Sequence, residues 1–287
     1  EIMSGLIHQR GYTLVDKPED ATVVIVNTCG FIDAAKEESI NTILDLAELK
    51  NTAKLKALIV SGCLTQRYKA ELMAEMPEID GIVGTGDFHK INTIIDEALG
   101  GRKPIYVGNP VFTYEEHMPR LLTTPRHTAY IKIAEGCDNA CTFCSIPLMR
   151  GKFRSRSIES IVAEAQRMAM QGVKEISLIA QDSTHYGRDL YDSFKLPELL
   201  NRVAEVDGIQ WVRLHYAYPG TFTDELIETI ADNPKICKYI DMPLQHSEDR
   251  ILKMMRRPGR QRDVRELVAK IRARIPDVAL RTSMIVG

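Results

Sequence analysis

The hydrophobic and polar positions near the start of the chain alternate between two periods. Three short segments are almost continuously apolar and rich in β-branched residues, which is typical of strands buried on both faces of a parallel sheet: ATVVIVNTC, KALIVSGC and DGIVGTG. Stretches with helical periodicity follow them at about 33–49, 66–76 and 88–99. Strands that alternate with helices predict a doubly wound parallel sheet for residues 1–100.

The segment that follows lacks a clear period and is rich in glycine and proline, so we interpret residues 101–128 as a linker. Alternation then resumes with five apolar segments separated by helical patterns: AYIKIA, EISLIA, WVRLHY, KYIDMPL and ALRTSMIV. Five successive strand–helix units predict a (β/α) barrel of the TIM type over residues 129–287, truncated at its carboxyl end.

Composition adds only broad limits to this picture. A length of 287 residues suits two domains, and a net charge of -2 excludes neither nucleic acid nor any other partner. The chain has neither an apolar run of roughly 18 residues nor the layout of a signal peptide, so we expect a cytoplasmic protein. It starts at Glu1 and stops inside an apolar segment, and we interpret it as a fragment.

The six cysteines are the most informative polar residues. In a reducing compartment, cysteines are more often metal ligands, catalytic groups or buried apolar residues than disulfide partners. Cys29, Cys63 and the group that begins at Cys137 each follow the end of a predicted strand, where the loops of parallel strands converge on ligands. Taken singly, Cys29 or Cys63 is also compatible with a small buried side chain, which is how we interpret Cys237.

Cys137, Cys141 and Cys144 form the pattern CxxxCxxC. Gly136 and the turn-forming residues Asp138 and Asn139 allow the backbone to wrap around a ligand. A structural zinc site and a ferredoxin-type cluster both require four ligands, and the neighbouring sequence supplies only these three. Three thiolates on a 4Fe-4S cube leave one iron open to a substrate or cofactor, which would explain the number three.

This motif, with Phe143 before its third cysteine and a barrel strand before its first, resembles the radical S-adenosylmethionine (SAM) superfamily. The resemblance implies that the open iron chelates SAM and that one electron cleaves it to a 5′-deoxyadenosyl radical, which abstracts hydrogen from a C–H bond. It also implies SAM contacts for Phe143, Gln181 and Asp182. A turn or cap role before Ser183 is an equal alternative for Gln181 and Asp182. The sequence identifies no further catalytic side chain.

Two further motifs, VNTCGFI and SGCLTQRY, resemble the amino-terminal domain of methylthiotransferases. That resemblance implies a second, auxiliary 4Fe-4S cluster on Cys29 and Cys63, with its third ligand upstream of Glu1. Four segments resemble the branch that methylthiolates the β-carbon of an aspartate in a small-subunit ribosomal protein: CSIPLMRGKFRSRSIE, IAQDSTHYGRDLY, YIDMPLQHSEDRILKMMRR and LRTSMIVG. Methylthiolation of isopentenyl-adenosine in tRNA is the alternative. His185 and Tyr186 are candidates for substrate contact.

The expected partners follow from the same resemblance. They are the ribosomal protein or small ribosomal subunit as substrate and a reductant of the flavodoxin or ferredoxin type. Two basic stretches could also contact RNA phosphates or could simply form a solvated surface: Arg150, Lys152, Arg154 and Arg156, and Arg256, Arg257, Arg260 and Arg262. A non-catalytic RNA-binding metal module and a simple electron carrier are the competing function classes.

Overall fold

The computed structural model describes residues 1–257 and 259–286 and divides into two compact units. The first comprises Glu1–Phe112, Met118–Leu121 and Ser145–Gly151, and the second comprises Thr113–His117, Leu122–Cys144 and Lys152–Gly287. Gly287, the last residue of the LRTSMIVG segment, lies outside the described residues. Within the described part of the chain, no helix combines the length and the apolar character needed to cross a membrane.

The first unit is built around a parallel sheet with the strand order β1-β2-β3-β4. Its elements in chain order are α1 (Ile2–Gln9), β1 (Val23–Thr28), α2 (Asp33–Ala47), α3 (Leu49–Thr52), β2 (Ala57–Gly62), α4 (Cys63–Glu75), β3 (Gly81–Val83), α5 (Ile91–Leu99) and β4 (Ile105–Tyr106). The two-residue strand β4 lies within the segment that the sequence predicts as linker.

Helices cover both faces of this sheet. On one face, Val26, Leu58 and Val60 pack with apolar residues of α2 and α4. On the other face, Ala57 and Ile59 pack with α1 and α5. Strand β2 is buried at all six positions, which is why its sequence is continuously apolar instead of alternating. The predicted doubly wound architecture is therefore confirmed.

The second unit contains five parallel strands of a TIM-like barrel. Its elements, with one short helix that groups with the first unit, are β5 (Thr128–Lys132), β6 (Ala134–Glu135), α6 (Ile146–Arg150, first unit), β7 (Arg154–Ser155), α7 (Ile158–Met170), β8 (Glu175–Ile179), α8 (Arg188–Tyr191), α9 (Leu196–Ala204), β9 (Trp211–Leu214), α10 (Asp224–Asp232), β10 (Tyr239–Asp241), α11 (Asp249–Met254), α12 (Gln261–Arg274) and β11 (Ala279–Arg281).

The barrel strands follow one another in chain order. Strands β5, β8 and β9 form one parallel sheet, and β10 pairs with β11. A parallel bridge between Val212 and Ile236 continues the succession from β9 towards β10. Ile131, Ile176 and Val212 point into the core that these strands share with the surrounding helices. Burying each such side chain contributes about 1.5–3 kcal/mol, so this core supports the loops that leave the strands at their carboxyl ends.

Candidate cofactor site

Three cysteines lie on the loop that follows β5 and β6. Cys137, Cys141 and Cys144 are each half-buried, and the amide of Cys144 donates to the carbonyl oxygen of Cys141 at 3.1 Å. The antiparallel pair β6–β7, which the sequence does not predict, closes the base of the loop. The Asp138 carboxylate accepts from the amide of Phe153 at 3.0 Å and fastens the loop to the segment that returns from it.

Asn139 connects this loop to Asp182 at the end of β8. Its amide nitrogen Nδ2 lies 3.4 Å from the sulfur of Cys137 and 2.8 Å from Oδ2 of Asp182. Asp182 is only 3% exposed, and its Oδ1 accepts from the hydroxyl of Thr184 at 2.7 Å. The structure thus brings Asp182, one of the residues expected near SAM, against the cysteine loop through a single side chain.

The other two residues expected at SAM have different surroundings. Gln181 adjoins Asp182, and its Oε1 is buried with no hydrogen-bond partner found for it within residues 1–257 and 259–286. A buried acceptor of this kind suits a ligand that donates a hydrogen bond. Phe143 is 39% exposed on the cysteine loop.

Burial raises the pKa of the Cys137 thiol, and the nearby Asp182 carboxylate raises it further, while the N–H groups of Asn139 oppose both. Thiols must lose their protons to bind metal. Across the described residues, no three His, Cys, Asp or Glu side chains are arranged as a metal site, so the structure gathers the three thiols on one loop without placing them in ligand geometry. Three thiols on one loop, one of them already next to an N–H donor, nevertheless match the donors of a 4Fe-4S cluster.

Tyr218 also lies beside the cysteine loop, although the sequence motifs do not point to it. Its ring is buried, and burial raises the pKa of its hydroxyl, while the neighbouring Arg257 guanidinium lowers it and the Asp182 carboxylate raises it. The sequence does carry a signal for it, because Tyr218 lies four residues past the carboxyl end of β9, much as Asp182 lies three residues past that of β8.

Cys29 and Cys63 lie together in the first unit. The register of β1 and β2 pairs Thr28 with Gly62, so the two cysteines follow directly from paired strand ends. Gly62 has φ of 111°, and a Cβ there would lie 2.4 Å from the carbonyl oxygen of Thr28. A Cβ on Gly30 would lie 2.9 Å from the backbone of Cys63. The two chain segments therefore touch through glycines that admit no side chain.

Polar contacts hold the Cys29 loop in place. The amide of Cys29 donates to the hydroxyl of Ser39 at 3.2 Å, and Nη1 of Arg67 donates to the carbonyl oxygen of Gly30 at 3.1 Å. A guanidinium so close to the loop would favour an anionic group such as a cluster bound by thiolates.

Some residues that the sequence suggested for external contacts are structural. Tyr186 is fully buried, and its hydroxyl donates to the carbonyl oxygen of Arg156 at 2.7 Å, so the prediction of substrate contact is wrong for Tyr186. Arg156 is 3% exposed and pairs with Glu164 at 2.6 Å, which removes it from any RNA-binding surface. The ring of His185 lies edge-on to Phe153 at 5.1 Å.

Comparison with protein families settles the class of the second unit. Residues 131–287, more than half of the chain, match the family described as the radical SAM superfamily. The chain belongs to the radical SAM superfamily. Membership implies one 4Fe-4S cluster and SAM, as expected from the CxxxCxxC loop. In the first unit, residues 1–84 match a family described as uncharacterized protein family UPF0004.

Relatives of this radical SAM chain share one description. Over its full length it is 51% identical to the ribosomal protein uS12 methylthiotransferase RimO of Heliobacterium modesticaldum and 52% identical to that of Desulforamulus reducens. The chain spans 62% and 65% of the length of these two relatives.

A solved structure shows the same fold. It is the radical SAM methyltransferase TsrM of Kitasatospora setae, with tryptophan and a SAM analogue bound, and it aligns with a TM-score of 0.66 at 14% identity. The alignment covers 99% of this chain and 59% of the other.

Proposed function

We propose that the chain carries the two cysteine sites of a methylthiotransferase that modifies the β-carbon of an aspartate in a small-subunit ribosomal protein. The observation that carries this proposal is identity of about half of all residues, across both units, with uS12 methylthiotransferases. Both predicted cysteine sites lie inside the aligned region. A ribosomal substrate also makes a cytoplasmic location the natural one.

In the second unit, Cys137, Cys141 and Cys144 would hold a 4Fe-4S cluster. Once reduced, that cluster would supply the electron that cleaves SAM. Asn139 donates towards the sulfur of Cys137 and orients the Asp182 carboxylate. Asp182 and the unpaired Oε1 of Gln181 would accept from the amino group of SAM, because both are acceptors buried beside the loop. Phe143 would cover the site with its half-exposed ring.

In the first unit, Cys29 and Cys63 would supply two ligands of a second 4Fe-4S cluster, the source of the transferred sulfur. Support comes from their positions after paired strand ends and from the Arg67 guanidinium next to the Cys29 loop. With two clusters, radical formation would occur at one site and sulfur supply at the other.

The partners proposed for this function are a reductant of the flavodoxin or ferredoxin class and the ribosomal protein substrate. RNA of the small subunit is a further proposed contact, through the exposed side chains of Arg256, Arg260 and Arg262. Arg257 of the same stretch is half-buried.

The test is a substrate comparison with the anaerobically reconstituted full-length protein. Incubated with SAM and a low-potential reductant, it should add a methylthio group to ribosomal protein uS12 and leave isopentenyl-adenosine tRNA unchanged. Product on tRNA alone would contradict the proposal and support the alternative substrate.

Variants of the cysteines link that activity to the site. Replacing Cys137, Cys141 and Cys144 together by alanine should remove all cleavage of SAM. Cys237→Ala is the matched control, since this half-buried cysteine lies beside Arg213 and Glu175 and outside both motifs, and it should retain cleavage. SAM cleavage by the triple variant would refute the assignment of these cysteines.

A further inference from the structure

Arg257 is held against the cysteine loop by three contacts. Its Nη2 donates to the carbonyl oxygen of Pro243 at 2.7 Å, and its guanidinium carbon lies 4.6 Å from the centroid of the Tyr218 ring. The remaining arm, Nη1, points at the sulfur of Cys141 at 3.7 Å. An arginine that the sequence places in a basic surface stretch is therefore fixed inside the site.

The backbone before Arg257 is shaped to present it. Helix α11 ends in a Schellman motif, in which the amide of Arg256 donates to the carbonyl of Lys253 and the amide of Arg257 donates to that of Leu252. Arg256 adopts φ of 52°, a left-handed conformation that residues other than glycine, asparagine and aspartate rarely adopt. Such a conformation persists where the surrounding structure holds it, and it is often found at functional sites.

The same turn also forms hydrogen bonds with the cysteine loop. The amide of Thr142 donates to the carbonyl oxygen of Met255 at 3.1 Å, and its hydroxyl donates to that of Met254 at 3.2 Å. Thr142 is the residue after Cys141. The distance between the Arg257 guanidinium and the Cys141 sulfur is thus set by hydrogen bonds on both sides of the contact.

We propose that Arg257 is a positioning residue that raises the reduction potential of the cluster held by Cys137, Cys141 and Cys144. The inference rests on the proposed function of these cysteines. One-electron reduction adds negative charge to the cluster and its sulfur ligands. A cationic N–H donor at one ligand stabilises the reduced form more than the oxidised form, and hydrogen bonds to cluster sulfurs are a recognised determinant of potential.

The Tyr218 ring strengthens this effect by covering one face of the guanidinium. A cation next to an aromatic face and a backbone carbonyl is shielded from water, so its field at the sulfur is screened less than that of a solvated surface arginine. Asn139 provides a neutral N–H donor at Cys137, and the charged donor at Cys141 is therefore expected to have the larger influence.

The experiment compares midpoint potentials in a Cys29→Ala/Cys63→Ala background, in which only one cluster forms. Reduced cluster is followed by electron paramagnetic resonance during a potentiometric titration without SAM. For Arg257→Leu we expect the ratio of reduced to oxidised cluster at a fixed potential to fall about tenfold, a negative shift of about 59 mV for one electron. Arg257→Lys, which keeps the charge but not the forked geometry, should lie between Arg257→Leu and the parent.

Arg256→Asn is the matched control. It removes the same charge one residue away and preserves the left-handed turn, because asparagine tolerates positive φ. Its midpoint potential should equal that of the parent protein. A shift as large as that of Arg257→Leu would mean that net charge alone matters and would overturn the inference.

The remaining outcomes are equally decisive. Equal potentials for Arg257→Leu and the parent, at equal iron content, would overturn the inference and leave the proposed function intact. If Arg257→Leu loses its iron, the test rests on Arg257→Lys. A midpoint potential of Arg257→Lys equal to that of the parent would then refute the role of the Arg257 guanidinium. If the parent protein assembles no cluster at all, the proposed function itself fails.

Discussion

At the residue scale, Tyr218 shows what burial does to a single ionisable side chain beside the cysteine loop. Its hydroxyl is buried, and no hydrogen-bond partner is found for it among the residues that the structure describes. Burial raises the pKa of Tyr218 to about 12. The phenolate form is therefore disfavoured in the folded protein relative to the unfolded chain, whose tyrosines ionise near pH 10.

Tyr218→Phe should accordingly gain stability relative to the parent as the pH rises. Because the folded pKa is raised, the contribution of Tyr218 is complete below about pH 10 and is lost as the pH rises towards 12. The variant lacks this loss. In urea unfolding at pH 8 the variant should be at least as stable as the parent, because it removes a buried hydroxyl that lacks a hydrogen-bond partner, and its advantage in free energy of unfolding should be larger at pH 11. A parallel decline of both proteins between these pH values would contradict the assignment.

A second residue-scale prediction concerns the buried ion pair of Arg156 and Glu164. Replacing one member leaves the other charge buried, which costs about 3–5 kcal/mol in comparable pairs, so Glu164→Ala should strongly lower the free energy of unfolding. Glu266→Ala is the control, because its pair with Arg262 is largely exposed and contributes about 0–1 kcal/mol. Similar losses in the two variants by urea denaturation would show that burial is not the deciding factor.

Sequence alone singles out the two groups of cysteines, because their spacing and their places after strands are properties of the chain, and their roles as cluster ligands stay predictions. It could not predict whether Tyr186 or Arg257 points inward. Their direction depends on partners far away in sequence, the carbonyl of Arg156 for the tyrosine and the carbonyl of Pro243 for the arginine.

At the element scale, the long helices and buried strands follow their hydrophobic periods closely. Helix α10 is one example, and it begins after Thr223, whose hydroxyl accepts from the amide of Leu226 at 3.2 Å. Thr223→Ala should lower the free energy of unfolding by about 1 kcal/mol, since it leaves a helix N–H group without its cap, whereas Thr223→Ser should preserve stability. Equal denaturation midpoints for the alanine variant and the parent would contradict a capping role.

The elements that periodicity misses are the short ones. Two residues, as in β4, β6 and β7, are too few to establish a period, and their pairing is decided by neighbouring strands. Helix α11 is six residues long and ends just before the basic stretch that begins at Arg256. Its importance comes from the turn that ends it, which is a backbone property.

At the scale of the whole molecule, the two units interleave along the chain. Residues 113–117 group with the second unit, and residues 118–121 group with the first. The boundaries chosen from glycine and proline content stay predictions, and they cannot resolve such an exchange, because it depends on contacts between segments distant in sequence.

The two cysteine sites should therefore be separable by iron analysis. After anaerobic reconstitution of the full-length protein we expect about eight irons per chain, from the composition of two 4Fe-4S clusters. Alanine at Cys29 and Cys63 should leave about four, and so should alanine at Cys137, Cys141 and Cys144. Iron and acid-labile sulfide assays check both numbers. Complete loss of iron in either variant would show that one cluster depends on the other.

The paired ends of β1 and β2 have a consequence for how this chain can vary in length. Cys29 and Cys63 stay side by side only while both strands keep their register, because one added residue would turn every following side chain to the opposite face of the sheet. Insertions between Thr52 and Leu55 fall after helix α3 and outside both strands, where added length has a small entropic cost. Homologous chains should therefore lengthen or shorten there and keep β1 and β2 constant in length.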